Sequence, residues 1–251
     1  MRSSTERFSN RVENYVKFRP NYPTEVLQIF RDEMNLQPSS IIADIGSGTG
    51  ISAKIFLENG NEVFGIEPNQ AMREASEVFL QDFPNFYPIN GTAENTTLED
   101  NTVDFIIAAQ AFHWFDKAKT RMEFRRILRD NGFTALIWNE RQLDSNDFLR
   151  EYEQFLIKFG SDYKQVRHEN VSENKIADFF GKTFRKKTLL NSQTLDFNGL
   201  KGRVLSSSYM PSAEDTSFGE MEKELKQLFT RFQKNDTIEI LYDTNIYFGQ
   251  L

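Results

Sequence analysis

The 251-residue chain has no cysteine, which excludes disulfide bonds, thiolate catalysis and cysteine-held zinc. Histidine is scarce: His113 and His168 are the only two, and neither has another histidine at ligand spacing. No metal site is expected. No apolar run approaches the ~20 residues of a membrane helix, and the polar start Met1-Arg2-Ser3-Ser4-Thr5-Glu6-Arg7 lacks a signal region. A soluble, cytoplasmic protein is the expectation. Basic charge is also short, 30 Lys and Arg against 37 Asp and Glu. A net charge of −7 argues against a nucleic-acid partner, whose phosphates need a basic surface. Apolar material is plentiful, at 39% hydrophobic with 24 Phe, enough for a phenylalanine-rich core or pocket.

Hydrophobic patterning divides the chain. Residues 1–23 read as a polar-aromatic lead-in with Pro20 and Pro23. Thr24 is placed to cap a helix over about 24–35, with Val26, Leu27, Phe30 and Met34 at helical spacing. Ile41–Ile45 is a short apolar run suited to a strand buried on both faces. After a glycine loop come a helix from Ile51, a strand Val63–Ile66, a helix over about 69–80, and strands Phe86–Ile89 and Val103–Ala109. Asp116 is placed to cap a helix running to Arg129 and stopped by Asn131-Gly132, before a strand Phe133–Trp138. This alternation predicts a doubly wound, mostly parallel α/β sheet of seven strands. Phe184–Leu190 and Ile238–Phe248 would supply an antiparallel edge pair. The expected organisation is one domain: an N-terminal lid (1–23), a core (24–140), a mainly helical substrate lobe (141–235) with one edge strand near 184–190, and a last edge strand (236–251).

The chemistry concentrates where the strands end. Asp44-x-Gly46-x-Gly48-x-Gly50 departs from the dinucleotide fingerprint G-x-G-x-x-G, since position 51 is Ile. Glycines at such a turn let backbone approach a ligand, although a tight turn with no ligand has the same pattern. An acid at Asp44 is a poor neighbour for pyrophosphate and a good one for an ammonium. Glu67, ending the second strand, is placed to accept hydrogen bonds from ribose hydroxyls. Gly91-Thr92-Ala93-Glu94 and Gln110-Ala111-Phe112-His113-Trp114-Phe115-Asp116 follow the next two strands, at the carboxyl edge where open α/β sheets bind ligands.

Asp44–Gly50, Val63–Pro68, Gly91–Glu94 and Ala109–Trp114 occur in an order that resembles class I S-adenosylmethionine-dependent methyltransferases. The pattern is similar to the small-molecule type 11 branch, which includes the fungal trans-aconitate methyltransferases. Arg11–Pro23 and Tyr242–Leu251 also look like that branch; the likeness is specific over 11–140 and thin over 141–180. The resemblance implies S-adenosyl-L-methionine as cofactor. It puts Gly46, Ser47, Gly48 and the following Gly50 at the methionine part, with Asp44 near the ammonium. Glu67 and Pro68 would meet the ribose, and Asn69 and Met72 the adenosine. Thr92, Ala93 and Glu94 would meet adenine, and Gln110, Ala111 and Phe112 would stand beside the sulfonium. Tyr15, Arg19 and Tyr22 would close over the site.

Several residues keep two readings. His113 serves as a general base, or it packs with Trp114 as a wall that orients substrate. Arg141 clamps a substrate carboxylate with its planar fork, or it is solvent-exposed. Ser207 and Tyr209, in Ser206-Ser207-Ser208-Tyr209, meet substrate or merely end a helix. Asp104 satisfies a neighbouring strand or loop, and Arg185-Lys186-Lys187 marks a solvated strand face. The expected function is methyl transfer to a small-molecule acceptor, a carboxylate among the candidates. The alternatives are a cofactor-binding protein without transfer activity and another nucleotide-binding α/β enzyme. Oligomeric state is not legible.

Overall fold

Strand β1 (Ile41–Ile45) runs through the middle of the protein with Ile42, Ala43, Asp44 and Ile45 all fully buried. In this computed structural model, residues 12–161, 163, 173–181 and 183–251 are described. The expected Arg11 and earlier lead-in, and His168, lie outside them. β2 (Glu62–Ile66), β3 (Phe86–Ile89), β4 (Val103–Ala109) and β5 (Leu128–Arg141) join β1 in parallel. β7 (Ile238–Gly249) pairs antiparallel with β5, and β6 (Arg185–Leu195) pairs antiparallel with β7. The order β3-β2-β1-β4-β5-β7-β6 is the doubly wound, mostly parallel sheet read from the sequence. The chain winds outward from β1 to β3, then returns to place β4 on the other side of β1. Ligands bind at that reversal, outside the carboxyl ends of the strands.

Alternate residues of β1 feed two apolar layers, as a period of two demands. Ile42 packs with Phe30, Phe56 and Phe105 beneath α2 (Glu25–Met34) and α3 (Ile51–Glu58). Ala43 and Ile45 pack on the opposite face with Ile106, Phe124 and Trp138, under α5 (Lys117–Ile127). A third cluster joins α6 (Asp147–Phe159), α8 (Phe197–Leu205) and α9 (Phe218–Phe232) to the first half of β7 through Leu149, Leu200, Leu225 and Ile240. Among the described residues the other named helices are α1 (Val12–Phe18), α4 (Gln70–Phe79) and α7 (Glu173–Phe180). Among the described residues no helix is long and apolar enough to cross a membrane.

Three boundaries differ from the sequence reading. Thr24 precedes α2, but its hydroxyl makes no cap; it lies against Glu25 instead. α5 stops at Ile127, not Arg129, because Leu128 already pairs with Val103 and Arg129 turns to Asp104. Asn131, at φ 66°, and Gly132 therefore bend the start of a strand and do not end a helix. β6 runs on to Leu195, long enough to carry the lobe away from the core. Asp104 does serve its neighbours: Ile41 N donates to its Oδ2 at 2.8 Å. Arg185 and Lys187 are exposed yet tied to Glu33, and Lys186 to Glu173.

The β3–β4 connection is clipped to α5 by Glu123, 9% exposed, which accepts from Thr96 N at 2.8 Å, Thr96 Oγ1 at 2.5 Å and Arg126 Nη2 at 2.8 Å. Burial alone would raise this carboxyl, but the Arg126 and Thr96 bonds overcome it and hold it at about 2, against an ordinary 4.5. Its stabilisation is therefore complete above the unfolded value near 4.5 and lost as pH falls toward about 2. Glu123→Gln should lower urea stability by a few kcal/mol at neutral pH, and the difference from wild type should shrink steadily below about pH 4.

Candidate active site

The turn after β1 is pinned to the end of β2. Gly46 N and Ser47 N both donate to Ile66 O, at 2.8 and 3.2 Å, and Gly48 N donates to Glu67 Oε2 at 3.0 Å. Glu67 Oε1 accepts from Asn69 N at 2.9 Å, and the Asn69 side chain caps α4 by accepting from Met72 N at 3.0 Å. Gly46, Gly48 and Gly50 all lie at positive φ, which is what lets the chain reverse here. Their side-chain vectors differ. A Cβ on Gly46 would stand 2.6 Å from Ala111 Cβ, and one on Gly50 would stand 2.5 Å from Leu80 Cδ1. On Gly48 it would meet nothing within 4 Å. Gly50 is thus required for seating α3, and Gly48 opens onto empty space.

Asp44 lies beneath this turn, fully buried. Ser52 Oγ donates to its Oδ2 at 2.6 Å, while Oδ1 is buried without a partner. Burial, opposed by the Ser52 bond and aided by the charge of Glu67, pushes the Asp44 carboxyl up to about 7. Burial likewise raises Glu67, against the Asn69 and Gly48 amides. A buried carboxylate with one oxygen unsatisfied is costly unless a cation or donor completes it.

Two chambers meet at the turn, sharing Tyr15, Gly46, Gly48, Ala109, Gln110 and Trp114. Glu67, Pro68, Asn69 and Met72 line the first, together with Thr92, Ala93, Glu94 and Ala111. The second takes Arg19 and Tyr22 from the N-terminal segment, Ser47 from the turn, His113 beside Trp114, and Arg141 and Tyr209 from beyond β5. Gln110 sits in the left-handed region at φ 58° and its Nε2 donates to Asn139 O at 3.2 Å, a strained position of the kind found at ligand sites.

Four expected residues stand elsewhere. Phe112 is a core residue: in the one-turn 3-10 helix Phe112–Trp114 its ring points inward, 4.7 Å from Phe179, while His113 and Trp114 face the chamber. Gly50 touches Leu80, as described. Ser207 is buried against Arg203, and Ser208 reaches the chamber in its place. Asp44 supports the turn from below and lines neither chamber. Arg141 is not solvent-exposed; its Nη2 contacts Glu153 in a buried pair and donates to Tyr163 Oη at 3.0 Å. Phe115, Asn139, Tyr163, Arg203 and Tyr242 also line the chambers, and sequence reasoning gave none of them a site role. Among the described residues no three His, Cys, Asp or Glu cluster to hold a metal ion.

Comparison with known proteins now bears on this geometry. A methyltransferase-domain family profile matches residues 43–136, the segment that carries β1 to β5 and the glycine turn. A methyltransferase-like protein of Schizosaccharomyces pombe, uncharacterised, is 28% identical over 241 residues, 94% of this chain and 92% of that one. The matched segment is a class I S-adenosylmethionine-dependent methyltransferase domain. An uncharacterised methyltransferase of Mycobacterium tuberculosis is 34% identical over 134 residues, 53% of this chain and 52% of that one. In fold the enzyme matches a provisionally named type II methyltransferase of Anaeromyxobacter dehalogenans, with TM-score 0.71, 20% identity, and 93% and 98% coverage. It also matches a Geobacter sulfurreducens methyltransferase solved with S-adenosyl-L-homocysteine, with TM-score 0.57, 13% identity and full coverage of both chains.

The residues present suit that cofactor: an orphaned acid oxygen, a glycine whose missing Cβ faces a void, and a second acid at the end of β2. Gly48→Ala tests the void. The substitution should cost about 1–2 kcal/mol in backbone strain and leave the fold intact by circular dichroism. S-adenosylhomocysteine binding, measured by calorimetry, should weaken by about tenfold or more as the methyl enters the space.

Proposed function

We propose that the enzyme moves the methyl group of S-adenosylmethionine to a small-molecule acid held in the second chamber. The observation that carries this reading is that the two chambers share Tyr15, the glycine turn, Ala109, Gln110 and Trp114, with Glu67 and Glu94 lining the first and Arg19, Arg141 and Arg203 the second. The backbone of Gly46, Ser47 and Gly48 would hold the amino-acid end, and the Asp44 charge would act on its ammonium from beneath the turn. Glu67 would take the ribose hydroxyls, beside Pro68 and Asn69. Met72, Thr92, Ala93 and Glu94 would enclose the base. Tyr15, Arg19 and Tyr22 would close the site and exclude water.

The cofactor supplies an electrophilic methyl on a sulfonium. The chain therefore needs only to align a nucleophile with it, and alignment alone supplies about 7–11 kcal/mol in favourable cases. The accepting atom's lone pair forms the new bond to carbon while the carbon–sulfur pair stays with sulfur. A carboxylate acceptor has no proton to lose, which leaves His113 and Trp114, with rings 4.7 Å apart, as orienting walls. The arginine surplus of the second chamber favours an acceptor molecule that carries an acid.

S-adenosylhomocysteine release should appear with small carboxylic acids and not with phenols or amines. His113→Gln should lower turnover without removing a pH limb near about 6.5; loss of that limb would identify a base.

Asp44 gives a second test. Its folded value near 7 exceeds its unfolded 3.8, so in the ligand-free enzyme its contribution to stability is full below about 3.8 and lost as pH rises through about 7. An ammonium needs the charged form, so binding should tighten and release a proton as pH climbs from about 5.5 to about 7.5. Asp44→Asn should flatten that profile and weaken binding; a wild-type affinity that ignores pH over this range would count against the assignment.

A further inference from the structure

The second chamber holds three guanidiniums, those of Arg19, Arg141 and Arg203, and they are not equivalent. Arg141 is already neutralised by Glu153. Arg203, on α8, donates to Tyr242 Oη at 3.4 Å and to Ser207 Oγ at 3.2 Å. Arg19, just beyond α1, donates from Nη2 to Ser206 O at 3.0 Å and lies 4.7 Å over the Tyr15 ring; its Nε is buried with no partner. Among the described residues no carboxylate pairs with either.

The backbone brings these two together. α1 packs on α8 with Phe18 against Gly202, so closely that a Cβ there would stand 2.1 Å from the ring. That seating places Arg19 beside Arg203. Burial first, and then the like charge of Arg203, push the Arg19 guanidinium below its ordinary value. Arginine nevertheless stays charged in proteins. Two adjoining half-buried cations without a counter-charge are unfavourable, and an anion bridging them removes the penalty.

We propose that Arg19 and Arg203 form the anion subsite of the acceptor chamber, holding a carboxylate that is not itself methylated. A carboxylate gripped by two guanidinium forks has its lone pairs engaged and its charge neutralised, and is a poor nucleophile. The methyl therefore goes to a second group on the same molecule, nearer Gln110 and Trp114 where the chambers meet. The acceptor class is a small acid with an anionic handle at one end and a separate nucleophile at the other. The last two statements rest on the methyl-transfer reading above; the subsite itself does not.

The test is calorimetry on the full chain saturated with S-adenosylhomocysteine, titrated with succinate, glutarate and adipate and with their neutral diamides. At least one diacid should bind about tenfold or more tightly than its diamide, as charge-assisted bidentate contacts imply. Arg203→Gln should erase that preference, and Arg203→Lys should restore part of it. Affinity for S-adenosylhomocysteine should stay within about threefold in both variants. If Arg203→Gln does not fold, Arg19→Gln replaces it for the diacid preference alone, which it should likewise erase. Equal binding of diacids and diamides by the wild type, or undiminished diacid binding by the variants, overturns the subsite. A wild type that fails to bind S-adenosylhomocysteine overturns the methyl-transfer reading instead.

Discussion

The bonds from Gly46 N and Ser47 N to the single carbonyl of Ile66 hold the site together. They tie the turn after β1 to the end of β2, so two parallel strands and the helix between them share one rigid corner. Once that corner is set, Gly48 N falls to Glu67, Glu67 to Asn69, and Asn69 to the first turn of α4. The acid that faces the first chamber is therefore aimed by backbone amides and not by its own rotamer preference. The same corner buries Asp44 under the turn and leaves one of its oxygens unmet. A fold that had only to be stable would place an apolar residue there; here the cost is consistent with a site that a ligand completes.

The second chamber depends on β6 and β7 continuing past the core. Their outer ends carry the lobe on one side and receive the N-terminal segment on the other. That segment is held largely by side-chain amides: Gln193 Nε2 donates to Phe18 O at 3.0 Å, Asn191 Nδ2 to Asn21 O at 2.8 Å and Asn139 Nδ2 to Asn21 O at 3.2 Å. Each such bond is worth about 1 kcal/mol net. Asn139 also accepts from Thr244 Oγ1, and its carbonyl receives Gln110. The cover over the chamber and the residue between the chambers are thus fastened to the same position of β5.

The sheet was legible because buried parallel strands are short, apolar and separated by helices: Ile41–Ile45 and Val103–Ala109 admit little else. The first chamber was legible for a related reason, since a turn, the acid after β2 and the residues after β3 and β4 are each local to a strand end. Local pattern fails where direction matters. Phe112 and His113 are neighbours in one motif, yet a 3-10 turn sends one into the core and the other to the chamber. Gly50 belongs to the same glycine run as Gly48 but answers to Leu80. Ser207 and Ser208 exchange roles for the same reason. Tyr163, Arg203 and Tyr242 converge from three elements of the lobe and the last strand. Nothing in their own neighbourhoods marks them, because tertiary packing alone sets which way they face.

The protein is acidic overall, at −7, yet the two chambers of its site differ in charge. Asp44 lies beneath the glycine turn and Glu67 lines the first chamber, while Arg19 and Arg203 line the second. On the proposed roles, a positively charged methyl donor sits against the acids while an anionic acceptor is drawn toward the arginines. The accepting atom then stands between a cation it attacks and cations that hold its other end. Transfer neutralises the donor's sulfonium and, for a carboxylate, the accepting group as well. The attraction that aligned the reactants vanishes with the reaction, while the arginine contact to the handle is unchanged. Interactions that weaken on passing to product do not trap it, so release is governed by the handle and by the amide-fastened segment above it. On those roles, control of turnover would lie in the N-terminal segment and the lobe, with the methyl-transfer core as a shared scaffold.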